Sequence, residues 1–464
     1  MQEDPKFGTD GVRGVANADL SAFFSFRLGR VAGGVVAGSS GPEGSRPRVL
    51  IGRDTRISGD MLRSALSAGL LSVGVDVVDL GVIPTPGVAF LTRSIRAAAG
   101  AVISASHNPA PDNGIKFFGP DGRKIADETE TAIEEAIDDW ERFPHPTGGE
   151  IGRASEGGEL VASYLEFLKS CAPGSLRGLR IVMDCGNGAA SLLGPRLARE
   201  LGAEVISLFD SPDGLNINDG CGALHPEKAQ QAVREHGADF GVSFDGDADR
   251  AIFTDGDGNL VDGDRVMAMC AIDARGTDGL PGNVVVGTVM SNVGLERGLA
   301  EHGIRLERAP VGDRHVAERM RAEGAALGGE KSGHIIFSRL HTTGDGLLTF
   351  LQVAGLVHRT GRSLAELAGQ IREYPQLLVN VPVWRRRGWR DQPDLWAAVR
   401  EAEARLGNRG RVLVRASGTE RIIRVMAEGP EEGEVHEIVE RICAVVRDKM
   451  GSPPPGASDE DDDE

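Results

Sequence analysis

Short apolar segments of strand length alternate with longer amphipathic segments along most of the chain, and this alternation is typical of α/β domains. Three stretches repeat the order strand, helix, strand, strand. The strands are predicted at 48–52, 75–80 and 99–103, at 180–183, 203–208 and 238–244, and at 283–289, 303–308 and 325–328, with helices at 59–71, 192–201 and 294–301. The pattern predicts three similar α/β domains in tandem, each with a mixed sheet.

The region after the third repeat has a different pattern. It begins near Glu373 and contains predicted strands at 377–383, 411–414 and 422–427. A C-terminal helix follows, with one apolar face formed by Val435, Ile438, Val439, Ile442 and Val446. We expect a smaller α+β domain that acts as a lid, and domain boundaries at 1–155, 156–257, 258–370 and 371–450. The remaining 451–464, rich in Pro, Gly and Ser and ending in six acidic residues, is predicted to be disordered.

Composition excludes several classes of protein. Lys and Arg number 51 against 69 Asp and Glu, and the net charge of −18 argues against general nucleic-acid binding. The five cysteines are scattered and form no C-x-x-C pair, which disfavours a disulfide framework or a zinc site. No apolar run approaches the ~20 residues that span a bilayer, and the start lacks a signal-peptide pattern. We expect a cytoplasmic protein with no membrane partner.

A polar loop follows the last predicted strand of each repeat. The three loops read S-A-S-H-N-P from Ser104, D-G-D-A-D-R from Asp245 and G-E-K-S-G-H from Gly329. Ligands of α/β sheets gather at the carboxyl ends of strands. We therefore expect the three loops to converge on one central cleft between the domains.

The second of these loops carries carboxylates at alternate positions, Asp245, Asp247 and Asp249. An EF-hand also begins in this way, but it needs Gly at its sixth position and Glu at its twelfth, where this chain has Arg250 and Gly256. A catalytic Mg²⁺ site with few protein ligands fits the pattern better. The alternative is a solvated acidic turn, because Asp and Gly are common in turns.

Ser106, in the first loop, is a candidate nucleophile toward phosphorus or a carbonyl group. No G-x-S-x-G elbow surrounds it, which weakens an α/β-hydrolase interpretation, and an ordinary turn serine is the alternative. Lys116 and Arg13 follow glycine-containing stretches, where the backbone can approach a ligand, although either could be a surface cation.

The third loop offers groups suited to a sugar. Glu330 and Ser332 can bind hydroxyl groups, and Gly329 and Gly333 add no bulky side chains to the loop. His334 is a candidate general acid or base, or else a hydrogen-bonded structural histidine.

A fourth loop, R-A-S-G-T-E from Arg415, has the composition of a phosphate cradle. Its candidate ligands are Arg415, Ser417, Gly418 and Thr419, with Arg424 on the following strand. It is no Walker loop, and a plain Ser-Gly-Thr hairpin is the alternative. A serine, a cation site, a sugar-binding loop and a separate phosphate site together suggest the transfer of phosphate between two positions of one sugar.

At these loops the chain resembles the α-D-phosphohexomutases. The resemblance runs from about Lys6 to Met450 and includes F-G-T-D-G-V-R-G-V-A-N from Phe7, V-G-D-R from Val311 and T-T-G-D-G from Thr342. It implies a phosphoserine at Ser106 and a sugar bisphosphate intermediate. It implies that the Ser106 phosphate binds Mg²⁺ together with Asp245, Asp247 and Asp249, and that Glu330 and Ser332 bind the sugar. It further implies that the second phosphate is bound by Arg415, Ser417, Gly418, Thr419 and Arg424. The reaction centre would be lined by Arg13, His107, Lys116, Arg250 and His334.

The resemblance is greatest to bacterial members that interconvert glucosamine 6-phosphate and glucosamine 1-phosphate for cell-wall precursors, and it implies a possible homodimer. Two positions depart from that pattern: Lys331 replaces a usual Gln, and Arg421 replaces a common Pro. An ammonium group facing a protonated 2-amino sugar would repel it, so we expect Lys331 to point outward. The alternatives are phosphoglucomutase or phosphomannomutase activity, a Mg²⁺-dependent sugar phosphatase, and a catalytically silent sugar-phosphate-binding protein.

Overall fold

The computed structural model describes residues 5–8, 11–37, 46–277, 279–385, 387–417 and 420–452. Two compact units are present, one formed by 1–290 with 302–370 and the other by 291–301 with 371–464. Most of the predicted acidic tail, 453–464, lies outside the described residues. No helix in the described part of the chain is long and apolar enough to cross a membrane.

The first sheet has seven strands in the order β1-β2-β6-β5-β3-β4-β7. The strands β3, β4 and β5 are parallel neighbours, and β6 runs antiparallel to β5. Val49, Leu50 and Ile51 of β3 are all buried, as expected for a parallel strand covered on both faces. The elements are β1 (Phe7–Gly8), β2 (Gly11–Val15), α1 (Ala22–Ala37), β3 (Arg48–Arg53), α2 (Gly59–Leu71), β4 (Asp76–Val82), α3 (Thr85–Ser94), β5 (Ala99–Ile103), β6 (Asp112–Phe118), α4 (Asp127–Ala136) and β7 (Ala154–Glu156).

The second sheet has five strands in the order β12-β11-β10-β8-β9. Here β10 is parallel to β8 and antiparallel to β11, just as β5 of the first sheet is parallel to β3 and antiparallel to β6. The elements are α5 (Gly158–Cys171), β8 (Arg180–Asp184), α6 (Ala190–Glu200), β9 (Glu204–Leu208), α7 (Glu227–His236), β10 (Phe240–Phe244), β11 (Ala251–Asp255) and β12 (Leu260–Val261).

The third sheet has four strands in the order β14-β13-β15-β16. Again the third strand, β15, is parallel to β13 and antiparallel to the strand that follows it. The elements are α8 (Gly263–Ala274), β13 (Val284–Thr288), α9 (Val293–Glu301), β14 (Arg305–Ala309), α10 (Asp313–Glu323), β15 (Leu327–Gly329), β16 (Ile335–Phe337), α11 (Gly346–Thr360) and α12 (Leu364–Ala368).

The second compact unit has an antiparallel sheet in the order β17-β19-β18. Its elements are β17 (Gln376–Pro382), α13 (Pro393–Leu406), β18 (Arg411–Ala416), β19 (Ile422–Glu428) and α14 (Glu432–Met450). The apolar face that the sequence predicts for α14 is buried against this sheet. Helix α9, predicted as part of the third repeat, belongs to this unit, where the Asn292 side chain before it donates to the Tyr374 carbonyl at 2.9 Å.

The predicted fold class is confirmed: three α/β domains with mixed sheets precede a smaller C-terminal α+β domain. The domain boundaries stay a prediction. One shared feature positions the candidate site. In each of the three α/β repeats, a functional loop joins the third strand of the repeat to its antiparallel neighbour, namely β5 to β6, β10 to β11 and β15 to β16.

Candidate active site

Polar loops from the first three sheets meet within the first compact unit. The Ser106 hydroxyl donates a hydrogen bond to Oδ2 of Asp245 at 2.7 Å, which joins the first and second loops. Nε2 of His334 in the third loop lies 4.0 Å from Oδ2 of Asp249. The structure therefore brings the predicted nucleophile, metal ligands and candidate acid or base together.

Ser106 is buried and has a left-handed backbone with φ of 51°. This conformation is uncommon for a residue other than glycine and often marks a functional position. Its neighbour His107 places Nδ1 3.2 Å from the Ser106 hydroxyl oxygen. Gly246 allows the second loop to come this close, because a Cβ at that position would lie 2.6 Å from the Ser106 carbonyl oxygen.

The three aspartates of the second loop form a buried carboxylate cluster. Ligand oxygens of Asp245, Asp247 and Asp249 lie within 4.8 Å of one another. Burial, reinforced by the neighbouring carboxylates, raises the pKa of Asp245 and of Asp249. A divalent cation with oxygen ligands would relieve this repulsion, so the residues fit a Mg²⁺ ion.

Lysine and arginine side chains surround the carboxylate cluster. The Lys116 ammonium lies 2.9 Å from Oδ2 of Asp247, which also accepts the Thr85 hydroxyl at 2.6 Å. The Arg250 amide donates to Oδ1 of Asp245 at 3.1 Å, and its Nε lies 4.0 Å from the other oxygen of that carboxylate. Burial alone would lower the pKa of Arg250, but the surrounding carboxylates raise it, so this guanidinium stays charged.

Arg13 lies on β2, directly opposite Gly114 of β6. A Cβ at Gly114 would come within 2.7 Å of the Ser104 carbonyl oxygen and 3.0 Å of the Arg13 Cγ. The glycine thus leaves room for the Arg13 side chain beside β6, the strand that follows the Ser106 loop. Arg13 itself is partly exposed.

In the third loop, Glu330 accepts a hydrogen bond from the Gly312 amide at 3.0 Å, which links it to the V-G-D-R motif. Ser332 is exposed. The Lys331 ammonium lies 3.5 Å from Oδ2 of Asp262, the residue that caps the N-terminus of α8. The charge of Lys331 is therefore balanced by a carboxylate of its own domain.

His334 is buried, and neither ring nitrogen has a hydrogen bond within the part of the chain that the structure describes. Its ring lies against Gly344 of the T-T-G-D-G motif, where any side chain would overlap the imidazole. Asp345 of that motif caps α11 and accepts the Tyr164 hydroxyl at 2.8 Å. Burial raises the pKa of Asp345 to about 6.

The candidate phosphate loop lies in the second compact unit. Arg415 and Arg424 occupy directly opposed positions on β18 and β19, an arrangement that is unfavourable for two like charges without an anion. Burial, followed by the charge of Arg424, lowers the pKa of Arg415. Ser417 is buried and its hydroxyl oxygen accepts the Glu420 amide at 3.3 Å. Gly418 and Thr419 lie outside the described residues.

Sequence reasoning missed four residues around Ser106: Asp54, Arg56, Thr85 and Asn218. Their hydrogen bonds reach the Ser106 loop or the aspartate cluster. Asp54 and Arg56 follow the first strand of the first repeat, so the rule that selected Ser106 could have selected them too. No sequence signal marks Asn218, which lies in the long connection after β9.

Four family models match the chain in order, and all describe phosphoglucomutase/phosphomannomutase domains. The alpha/beta/alpha domains I, II and III match residues 4–143, 162–258 and 262–374, and the C-terminal domain matches residues 378–445. A Burkholderia thailandensis phosphoglucomutase/phosphomannomutase family protein has a similar structure, with a TM-score of 0.81 and 26% identity over 97% of this chain and 98% of that one. The fold and the site thus define a phosphohexomutase.

Curated relatives narrow the class further. The phosphoglucosamine mutase of Desulforamulus reducens is 51% identical over 441 residues, or 95% of this chain and 98% of the relative. That of Symbiobacterium thermophilum is 53% identical over 446 residues, or 96% and 99% of the two chains. The chain belongs to the phosphoglucosamine mutase family of the phosphohexomutases, which confirms the resemblance seen in the sequence motifs.

Proposed function

We propose that this enzyme, an isomerase, interconverts glucosamine 6-phosphate and glucosamine 1-phosphate, with Ser106 as the carrier of the phosphoryl group. The observation that supports this most strongly is the hydrogen bond between the Ser106 hydroxyl and Asp245 at 2.7 Å. It places the only strained serine of the first loop beside the buried carboxylate cluster. The names of the 51% and 53% identical relatives point to glucosamine phosphate as the substrate.

Asp245, Asp247 and Asp249 would hold one Mg²⁺ ion together with the phosphate on Ser106. The bound ion would neutralise charge on the phosphoryl group during transfer. Lys116, 2.9 Å from Asp247, holds that carboxylate in place and offers a second positive charge.

The reaction consists of two phosphoryl transfers. In the first, a sugar hydroxyl attacks the phosphorus of phosphorylated Ser106, the bond from phosphorus to Oγ breaks, and a sugar bisphosphate forms. In the second, the Ser106 hydroxyl attacks the other phosphate of the bisphosphate, which leaves the isomeric monophosphate and restores the phosphoserine. Each attacking hydroxyl loses a proton, for which His334 and His107 are the candidate acceptors. The leaving oxygen takes one up, so the overall reaction is proton-neutral.

Further side chains would bind the sugar, the reacting phosphate and the second phosphate. Glu330 and Ser332 would bind sugar hydroxyls, and Arg250 and Arg13 would stabilise charge near the reacting phosphate. The opposed guanidiniums on β18 and β19, with the Ser417 hydroxyl, would bind the second phosphate. Gly418 and Thr419, from the same loop, are assigned to this phosphate by sequence alone.

Specificity constants for the 1-phosphates of glucosamine, glucose and mannose test the substrate. A preference for glucose or mannose would make the enzyme a phosphoglucomutase or phosphomannomutase. Intact-mass measurement, with and without a sugar bisphosphate, tests whether Ser106 carries phosphate. Ser106→Ala is expected to abolish turnover and to leave sugar-phosphate binding largely in place. Steady release of inorganic phosphate without isomer would instead identify a phosphatase. A cytoplasmic location and a homodimer stay predictions.

A further inference from the structure

The carbonyl groups of Ser106 and Asn108 each accept hydrogen bonds from two different domains. One Nη of Arg56 donates to them at 3.0 and 2.8 Å, and the side-chain amide of Asn218 donates to the same two oxygens at 2.9 and 3.0 Å. The other Nη of Arg56 bonds the carbonyl of Pro109. The loop is therefore fixed by a guanidinium from the first α/β domain and an amide from the second.

The amide of Ser106 is held as well. It donates to the Ser104 hydroxyl oxygen at 2.9 Å, and that hydroxyl donates to Oδ2 of Asp54 at 2.6 Å. The same carboxylate accepts Nε of Arg56 at 2.9 Å. Asp54, Arg56 and Ser104 are all buried, so this ring of hydrogen bonds is shielded from water.

These contacts share a property that matters for a residue that gains and loses a phosphoryl group. The hydrogen bonds from Ser104, Arg56 and Asn218 to Ser106 involve only its backbone amide and carbonyl. The Ser106 hydroxyl contacts Asp245 and His107 instead. Phosphorylation changes the side chain and leaves the backbone donors and acceptors as they are. The same hydrogen bonds can therefore hold the loop before and after each transfer.

The buried ion pair of Asp54 and Arg56 is also poorly explained by stability alone. Apolar side chains of similar size often stabilise a protein core as much as a buried ion pair does, or more. Arg56 directs its guanidinium to three carbonyls of one loop, in which Ser106 has an unfavourable left-handed backbone. Lysine cannot reproduce this geometry, because it presents a single ammonium in place of a planar fork.

We propose that Arg56, Asp54, Ser104 and Asn218 are positioning residues for phosphoryl transfer: they hold the backbone of Ser106 left-handed, so that its hydroxyl faces the aspartate cluster in both forms of the enzyme. This inference rests on the proposed role of Ser106 as the phosphoryl carrier. A small misplacement of a reacting atom is costly in rate but leaves distant binding contacts intact. The four residues should therefore affect the transfer step more than substrate or metal binding.

The test uses Ser104→Ala, which removes one hydroxyl of the ring, and Arg56→Lys, which keeps the charge but loses the fork. Asn218→Asp keeps the shape of the side chain but removes its amide donor. Aspartate, like asparagine, also tolerates the left-handed backbone found at this position. Ser25→Ala is the matched control, because Ser25 is buried in the same domain and donates only to the Ser21 carbonyl of its own helix end.

Transfer to Ser106 is followed by intact mass after rapid mixing with glucose 1,6-bisphosphate. We expect the rate to fall about 10- to 100-fold in the first three variants. The KM for glucosamine 1-phosphate and the Mg²⁺ affinity should stay within about twofold of the parent. Wild-type transfer rates in Ser104→Ala and Arg56→Lys would overturn the proposal. The proposal would also be overturned if the transfer rate, the Mg²⁺ affinity and the melting temperature of these variants all fell relative to those of Ser25→Ala. Such a joint loss would indicate a merely structural role. If the parent enzyme itself never gains a phosphoryl group, the proposed function fails instead.

Discussion

The ammonium group of Lys116 lies 2.9 Å from Oδ2 of Asp247, although 131 positions separate the two residues. Both side chains are buried, and the Thr85 hydroxyl bonds the same carboxylate oxygen. The first domain thus supplies a fixed positive charge to the carboxylate cluster of the second. Removing that charge should affect metal binding and catalysis in different directions.

Lys116→Met is expected to slow turnover by about 100-fold, because a positive charge beside the transferring phosphoryl group is lost. Mg²⁺ affinity should be equal or higher, because a competing cation no longer neutralises Asp247. Asp247→Asn is the matched variant and should weaken Mg²⁺ binding while also slowing turnover. Calorimetric Mg²⁺ titration with steady-state assays checks both, and weakened Mg²⁺ binding in Lys116→Met would contradict the prediction.

Gly246→Ala should distort the contact between the first two loops. The added Cβ would lie 2.6 Å from the Ser106 carbonyl oxygen and 2.8 Å from Cδ1 of Ile217. Overpacking of this kind costs about 1 to 3 kcal/mol of stability, and here it also displaces the serine. Gly256→Ala is the control, since its Cβ would meet nothing closer than 3.3 Å. Denaturant unfolding and turnover should be changed in the first variant only. Equal effects of the two substitutions would argue against a close fit.

Asp262→Asn should lower the preference for an amino sugar. The substitution keeps an N-cap for α8 but removes the carboxylate that lies 3.5 Å from the Lys331 ammonium. Unbalanced charge near a protonated 2-amino group is worth about 1 to 4 kcal/mol at about 4 Å, depending on screening. We expect kcat/KM to fall severalfold for glucosamine 1-phosphate and to change little for glucose 1-phosphate. Adding Lys331→Gln should restore the original ratio, and equal losses for both sugars would exclude this role.

Asp345 should give the folded protein a pH-dependent stability. Burial raises its pKa from an ordinary value near 3.8 to about 6, so the folded state binds the extra proton between pH 4 and 6. Its contribution to stability is complete at low pH and is lost as the pH rises through 6. This loss amounts to about 3 kcal/mol.

Asp345→Asn removes this titration and keeps the cap of α11. The free energy of unfolding of this variant, relative to the parent, should therefore rise between pH 4.5 and pH 7. Urea unfolding at the two pH values measures the difference, with the exposed Asp219→Asn as control. A difference that does not depend on pH would show that Asp345 does not titrate in this range.

Much of the fold could be predicted from short-range patterns. The helix predicted at 59–71 is α2, Gly59–Leu71, and the strand at 99–103 is β5, Ala99–Ile103. The apolar face of α14 is buried as the helical spacing indicates. The sequence also predicted helix α9, but it did not predict that this helix belongs to the second compact unit. That membership depends on Gly294 and Gly298 meeting Arg372 and Ile371, about 75 positions further on.

The sequence alone predicted many of the helices and strands, located the three functional loops and suggested the chemistry of Ser106, the three aspartates and Glu330. Those inferences need only periodicity and residue type over a few neighbouring positions. Tertiary structure decided which atoms meet: Asn218 reaches the Ser106 carbonyl across 112 positions, and Lys331 is balanced by Asp262. Such contacts depend on how sheets and loops pack and on side-chain conformations that no local pattern specifies. For this reason the sequence could predict Ser106 as the carrier of the phosphoryl group, while the residues proposed to position it became visible only in the folded chain.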